Sequence, residues 1–208
     1  MLNDNLNAID KWLAQNANKI ATLSLRKPAS MKEIEELENA VGKSLPEDFK
    51  QLYAWHDGLD NQENMANLFY GMDFVPIEFV QKHHFQQNGV SSDEPMPLER
   101  ADKEIKTENL SNPNWVKFAS DGGRTGFYLD LDPTEFGHYG QIIFIDLDYQ
   151  MGILVANSTE QLIKDFLQDL QNGEYFLNEE ALEDDNHFLE LAQEIDIVNW
   201  FKSTKWKR

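Results

Sequence analysis

Residues 114–148 read NWVKFASDGGRTGFYLDLDPTEFGHYGQIIFIDLD, and this stretch decides the fold of the chain. It contains three runs of apolar and aromatic residues, at 115–119, 126–131 and 141–146, each bounded by glycine or proline. Glycine supplies the backbone conformations of tight turns, and proline is excluded from central strands. The pattern predicts three consecutive strands, followed by a fourth at 153–156. With helices on one face of this strand meander, the fold class is α+β with a mainly antiparallel sheet.

Capping signals predict helices before and after the meander. Ser30 and Glu33 have the spacing of a capping box, and Gly42 is placed to end the helix that follows. Ser158 and Gln161 repeat the capping signal after the fourth strand. Further helices are predicted to begin near Leu2, Leu45 and Pro76.

The remaining segments give weaker patterns. Residues 68–74 are predicted to form a strand with a glycine bulge, and 175–177 a short edge strand. Residues 89–97 are predicted to be a loop, and the charged stretch up to Asn114 to be irregular with at most a short helix. Apolar residues between 188 and 195 recur with a helical spacing.

The composition limits the classes of partner. The 208 residues include 18 basic and 37 acidic side chains, a formal charge of −19, and no cysteine. Such a charge repels nucleic-acid phosphates and anionic membranes and steers a basic protein inward, so we expect a protein partner, no direct nucleic acid and no membrane. Disulfides and thiolate metal sites are excluded. Neither a signal peptide nor a membrane span is evident, and we expect a cytoplasmic protein.

Three groups of residues, in this order, resemble the SUKH superfamily, which is named for the Smi/Knr regulators of yeast cell-wall synthesis and their bacterial relatives. The first is the helix start LPEDF at 45–49, with HDG at 56–58 near the end of the helix. The second is the strand and glycine turn leading to DLDP at 130–133. The third is GHYGQI at 137–142, followed by ANS at 156–158 before the last helix.

The resemblance covers about residues 30–172 and implies an α+β domain with helices on one side of a sheet. Residues 1–29 are then an N-terminal helical extension, and 173–208 an acidic C-terminal extension packed on the domain. The resemblance implies protein binding without a cofactor, and not an enzyme. Bacterial members look like immunity proteins that neutralise toxins, often nucleases. Fungal members are cell-wall regulators with long disordered arms, which this sequence lacks, so the bacterial branch is the nearer match.

We therefore expect an immunity protein that covers a basic toxin domain, such as a nuclease, with an acidic surface. Segment 178–196 carries eight acidic residues and no lysine or arginine, and its carboxylates would mimic phosphates in a basic cleft. A solvated surface is the alternative explanation of these acids. Trp200, Phe201 and Trp206 would either anchor the interface or cover the core. The expected protein-binding residues lie in exposed loops and in the acidic segment, and they are Asp121, Arg124, Asp132, Glu135, His138, Glu179, Glu180, Glu183, Asp184 and Asp185.

Two other functions stay open at this point. One is a regulatory or scaffold protein of cell-wall or envelope assembly, as in the fungal members. The other is a metal-dependent hydrolase, because Asp130, Asp132, Asp146 and Asp148 offer the oxygen ligands that hard cations prefer. We favour a structural role for these aspartates, since they alternate with leucines along strands and begin turns.

Overall fold

The computed structural model describes residues 1–89 and 96–208, with side chains described for 1–84 and 96–208. The predicted loop at 89–97 therefore lies mostly outside the described residues. Within the described part of the chain, no helix combines the length and apolar character needed to cross a membrane.

The centre of the molecule is a six-stranded sheet, which contains the four predicted strands of the meander and two further strands of two residues each. Its spatial order is β1-β3-β4-β5-β6-β2, and every neighbouring pair is antiparallel except β2 and β6, which are parallel. The strand order along the chain from β3 to β6 is the predicted meander. The strands are β1 (Asp73–Phe74), β2 (Arg100–Ala101), β3 (Trp115–Ser120), β4 (Thr125–Asp130), β5 (Gln141–Asp146) and β6 (Met151–Ala156).

The longer helices begin close to the predicted signals, whereas the five-residue helix at 179–183 has no counterpart among the predictions. They are α1 (Leu2–Asn16), α2 (Met31–Val41), α3 (Glu47–Trp55), α4 (Ile77–Gly89), α5 (Thr159–Gln171) and α6 (Glu179–Glu183). The Ser30 hydroxyl accepts the backbone N–H of Glu33, whose carboxylate accepts the N–H of Ser30, so the capping box is complete. Gly42 ends α2 with φ +72°, a left-handed conformation that glycine adopts without a Cβ clash.

Both faces of the sheet are buried, which explains why β3, β4 and β5 contain no exposed residue. On the first face, side chains such as Phe118, Phe127 and Phe144 join the main core with α1, α3 and α5. On the second face, Trp115 and Tyr128 pack against a smaller cluster that includes Leu98, Ile105 and Leu110. The irregular segment that supplies these three leucine and isoleucine side chains thus takes the place of a second helical layer.

The C-terminal extension folds back on the domain through a two-stranded hairpin, β7 (Tyr175–Leu177) and β8 (Leu189–Leu191). The helical interpretation of residues 188–195 is wrong over Leu189–Leu191, which is a strand, and only Gln193–Ile195 forms a helical turn. The backbone of β8 is bonded on one side by β7 and on the other by asparagine side chains. The Asn67 amide binds both N–H and C=O of Leu189, at 3.0 and 2.9 Å, and Asn64 binds those of His187 at 2.7 and 3.2 Å. The two amides therefore take the place of a neighbouring strand.

The prediction of a strand over 68–74 is also wrong in most of its length. Phe69–Gly71 is a helical turn in which Tyr70 has φ +53°, and only Asp73–Phe74 forms a strand. The Tyr70 backbone N–H donates to the Tyr175 hydroxyl at 3.0 Å, and the Tyr70 hydroxyl donates to Asp169 at 2.8 Å. Contacts about 100 residues away in sequence thus hold a backbone conformation that the local pattern does not predict.

Candidate protein-interaction surface

The predicted loop residues fall into two groups at opposite ends of the sheet. Asp121 and Arg124 lie in the β3–β4 turn, whereas Asp132, Glu135 and His138 lie in the β4–β5 loop. Strand β4 separates the two groups, and its six residues span about 20 Å at the usual rise of a strand. One partner side chain therefore does not contact both groups, and only an extended protein surface would reach the two ends.

Several of these side chains hold local structure. The Asp121 carboxylate accepts the backbone N–H groups of Gly123 and Thr125, which closes the β3–β4 turn. Asp132 pairs with Lys106 at 2.7 Å. Partial burial opposes ionisation of Asp132, but the hydrogen bond and charge of Lys106, together with Lys43 and Asn112, outweigh it and lower the pKa of the carboxyl. Glu135 and His138 are exposed.

The acidic residues of the C-terminal extension are brought together, but away from both loops. Glu179, Glu180 and Glu183 belong to the five-residue helix α6, and Asp184 and Asp185 follow it; all five are exposed. The ion pair from Lys19 to Asp185, at 2.6 Å, lowers the pKa of that carboxyl and ties the segment to the N-terminal part of the chain. No ion pair engages the three glutamates among the residues that the structure describes.

The four aspartates of the metal hypothesis are divided between the two ends of the sheet. Asp130 ends β4 and Asp146 ends the antiparallel β5, so the two carboxylates lie apart. Asp130 is fully buried and accepts hydrogen bonds from the Trp115 indole and the Gln141 amide, at 3.1 and 2.8 Å. Burial raises the pKa of Asp130, and these hydrogen bonds oppose the rise. Within the described residues no three His, Asp or Glu side chains are arranged to hold a metal ion.

A cleft lies at the end of the sheet that carries the β5–β6 hairpin. It encloses about 270 Å³ and is lined by residues 99–100, 148–151 and Trp200; we call it the hairpin cleft. The Asp146 carboxylate accepts the N–H groups of Asp148 and Tyr149, both at 3.0 Å, which fixes the turn. The Gln150 carbonyl accepts the N–H groups of Glu99 and Arg100 at 2.9 and 3.2 Å. The start of strand β2 therefore lies against the β5–β6 hairpin.

Three aromatic rings meet at the hairpin cleft: Tyr149 and Trp200 line it, and Phe201 packs beside them. Tyr149 lies 6.0 Å from Trp200 and 5.9 Å from Phe201 between ring centroids, and Trp200 lies 5.8 Å from Phe201. Trp200 is only 6% exposed, and its indole N–H donates to Asp146 at 3.2 Å. Tyr149 and Phe201 are 59% and 38% exposed. The buried Trp200 therefore supports two exposed rings, an arrangement typical of interface anchors.

Charged groups surround these rings. Arg124 pairs with Asp148 through its Nε and the Oδ1 atom of the carboxylate, which joins the two hairpin turns. Lys202 lies over the Phe201 ring at 5.6 Å. Glu99 and Arg100 are exposed and form no ion pair with any residue in the described ranges. The hairpin cleft thus combines exposed aromatic surface with unpaired charge.

Sequence reasoning identified only part of this surface. It predicted Arg124 as a contact residue, and it left two roles open for Trp200 and Phe201, either anchoring an interface or covering the core. Trp206 covers the core, being 4% exposed and packed on Tyr70, while Phe201 remains accessible. Glu99 and Tyr149 were missed. The signal for Tyr149 was an aromatic residue at the tip of a predicted hairpin, where burial in the core is not expected.

Comparisons with known proteins find similarity to fungal proteins that are named as regulators. A family model described as the SMI1 / KNR4 family (SUKH-1) matches residues 28–165, and the SUKH resemblance is thereby confirmed. The cell wall biosynthesis/cell cycle regulator smi1 of Schizosaccharomyces pombe is 22% identical over 83% of this chain and 36% of its own length. The glucan synthesis regulatory protein of Neurospora crassa is 24% identical over 84% of this chain and 39% of its own length. The cell wall assembly regulator SMI1 of Saccharomyces cerevisiae is 24% identical over 81% of this chain and 40% of its own length.

The chain spans about two fifths of the length of these curated relatives. Their matches cover more than four fifths of the chain, whereas residues 28–165 are about two thirds of it. The similarity therefore includes part of the flanking extensions as well as the domain itself.

Proposed function

We propose a regulatory, protein-binding role in cell-wall assembly for this chain, which belongs to the SMI1/KNR4 family (SUKH-1). The observation that carries the proposal is the match of more than four fifths of the chain to fungal proteins named as regulators of the cell wall or of glucan synthesis. These relatives are named as regulators and not as enzymes. The regulatory hypothesis, which the sequence alone ranked second, is now better supported than toxin immunity.

The surface at the hairpin cleft supports a binding role. A regulator without catalysis acts by contacting other proteins, and aromatic residues and arginine are enriched at the centres of such contacts. Tyr149 and Phe201 provide the aromatic groups, and Glu99 and Arg100 provide the charges. The cleft is built from the family domain on one side and the C-terminal extension on the other, so both parts of the chain would contribute to function.

The test is deletion of the gene in the source organism, followed by growth on a chitin-binding dye that stresses the wall. We expect the deletion strain to be more sensitive than its parent, and expression of the intact chain to restore growth. A chain carrying both Tyr149→Ser and Phe201→Ser should restore growth less well, while folding normally by circular dichroism. Equal growth of deletion and parent strains under wall stress would contradict the proposal.

Toxin immunity is the second candidate, and the acidic segment favours it. The exposed carboxylates of Glu179, Glu180 and Glu183 and the total charge of −19 suit a basic toxin domain. An immunity protein predicts a deletion strain that grows normally under wall stress and dies only when the cognate toxin is expressed. Replacing the three glutamates by glutamine should then remove protection. Each toxin encoded near the gene would be expressed in the deletion strain, and survival in every case would rule this function out.

A further inference from the structure

We propose that the hairpin cleft receives a single basic side chain, arginine or lysine, from a protein partner. The proposal rests on the proposed function only in assuming that the partner is a protein. The site itself follows from the size, aromatic lining and charge of the cleft.

The size of the cleft suits one side chain. Its volume of about 270 Å³ lies just below the range of about 300–1,000 Å³ that is typical of small-molecule sites. A pocket that takes one anchor residue is the usual centre of a protein interface. An extended peptide lying across the cleft would therefore insert one residue and keep its neighbours on the rim.

The aromatic lining favours a cation. Tyr149 and Trp200 both line the cleft, and their ring planes are nearly perpendicular, at 88°. An arginine or lysine over the face of such a ring is attracted by its negative charge density. The chain uses this contact within itself, since Lys202 lies over Phe201 and Lys205 lies 5.0 Å from the Trp206 ring. The hairpin cleft presents the same kind of surface to an outside cation.

Two carboxylates strengthen this preference. Glu99 lines the cleft and has no ion-pair partner in residues 1–84 or 96–208. Asp148 is bonded by Arg124 at Oδ1 only, so its Oδ2 atom retains acceptor capacity toward a guanidinium. Arg100 also lines the cleft and its positive charge opposes a second cation. The preference for a basic side chain therefore rests on the aromatic rings together with the carboxylates of Glu99 and Asp148.

Long-range charge acts in the same direction. The net charge of −19 attracts a basic partner before contact, and this effect weakens as salt is added. Steering alone does not select a docking position, because acidic groups are spread over the molecule. The aromatic rings of the hairpin cleft add a short-range contact that residues 179–185 do not offer, since they include no aromatic side chain.

The experiment is a nuclear magnetic resonance titration of the intact ¹⁵N-labelled chain with a blocked Gly-Arg-Gly-Arg-Gly peptide in 150 mM salt. The chain has five tryptophans, so each indole N–H gives a separate probe. We expect saturable shifts of the Trp200 indole and of the Tyr149 and Glu99 amides. The Glu99→Gln and Tyr149→Ser variants should each weaken binding by about threefold or more, the usual size of a cation–π or exposed ion-pair contribution. Glu35→Gln removes the same charge from an exposed position on α2 that does not line the cleft, and it should leave the affinity unchanged.

Three results would overturn the proposal. Saturable shifts confined to residues 179–185 would place the basic side chain on the acidic segment. Shifts that rise linearly without saturation, or that occur equally with a Gly-Glu-Gly-Glu-Gly peptide, would show no site for a cation. Equal weakening by Glu35→Gln and Glu99→Gln would show only general attraction by charge. None of these results affects the regulatory role, which the deletion strain tests separately.

Discussion

Replacement of Asn67 by alanine should detach the C-terminal hairpin from the domain. The Asn67 side chain is 1% exposed, and its amide donates to the Leu189 carbonyl at 2.9 Å and accepts the Leu189 N–H at 3.0 Å. A hydrogen bond contributes about 1 kcal/mol net, and a buried group left without a partner costs about 1–3 kcal/mol. Because both Leu189 groups lose their partner, the free energy of unfolding should fall by about 2–4 kcal/mol.

Urea denaturation followed by tryptophan fluorescence measures the loss of stability, and hydrogen exchange read by mass spectrometry locates it. Exchange should accelerate in peptides covering Leu189–Leu191 in the variant. Asn7→Ala is the matched control, because Asn7 is exposed on α1, and it should change the free energy by less than about 0.5 kcal/mol. A loss below about 0.5 kcal/mol in Asn67→Ala, with unchanged exchange, would refute the role given to this amide.

The Asn67→Asp variant separates the two hydrogen bonds. An ionised carboxylate still accepts the Leu189 N–H but no longer donates to the carbonyl, and it buries a charge. Burial raises the pKa of such a carboxyl, so the folded state binds the proton more tightly than the unfolded state. Stability relative to the parent chain should therefore recover as the pH falls and the acid becomes a donor. A difference that is independent of pH would contradict this account.

Three further predictions concern single residues in the domain. Gly58→Ala should lower the free energy of unfolding by more than Gly42→Ala in urea denaturation. Both glycines have positive φ, but a Cβ at Gly58 would lie 2.5 Å from the Pro76 nitrogen, whereas one at Gly42 meets nothing within 4 Å. Equal losses in the two variants would contradict the steric reason. Lys117 is 6% exposed, and burial lowers its pKa. Because a buried charge is costly, Lys117→Met should raise the free energy of unfolding at pH 7 by about 1 kcal/mol in urea denaturation. A decrease of that size would instead show that the charge of Lys117 stabilises the fold. Burial raises the pKa of Asp73 to about 6, so stability should fall as the pH rises from the unfolded value of 3.8 through about 6. Asp73→Asn should reduce this pH-dependent loss of stability by about 1 kcal/mol, a value lowered to allow for solvent around the carboxyl. An unchanged dependence of the free energy of unfolding on pH would argue against the raised pKa of Asp73.

The regulatory hypothesis comes from the family relationship and the immunity hypothesis from the acidic composition, but the two hypotheses share one kind of partner. A basic protein suits both the regulatory and the immunity hypotheses, since the charge of −19 steers it in either case. The two hypotheses differ in which surface makes the contact. A contact at the hairpin cleft uses aromatic rings and few charges, whereas a contact at residues 179–185 uses carboxylates almost alone, so its affinity should fall more steeply with salt.

The sequence by itself determined the structural elements whose signals lie within a few consecutive residues. The strands from β3 to β6, the capping box at Ser30, the αL glycine at Gly42 and the family resemblance were all predicted correctly, within two residues at strand ends. Local turn chemistry and side-chain periodicity act over a few residues, and no distant contact is needed to express them. The absence of cysteine and the charge of −19 are likewise properties of the sequence itself.

Only the tertiary structure decided the features that join distant segments. Leu189–Leu191 became a strand because β7 and the side chains of Asn64 and Asn67 satisfy its backbone, although its apolar spacing suits a helix. The hairpin cleft exists because the hairpin at Tyr149 and the chain end at Trp200 meet in space, 51 positions apart in sequence. Backbone hydrogen bonds and ring contacts of this kind carry no local signature, since either partner alone is compatible with several conformations.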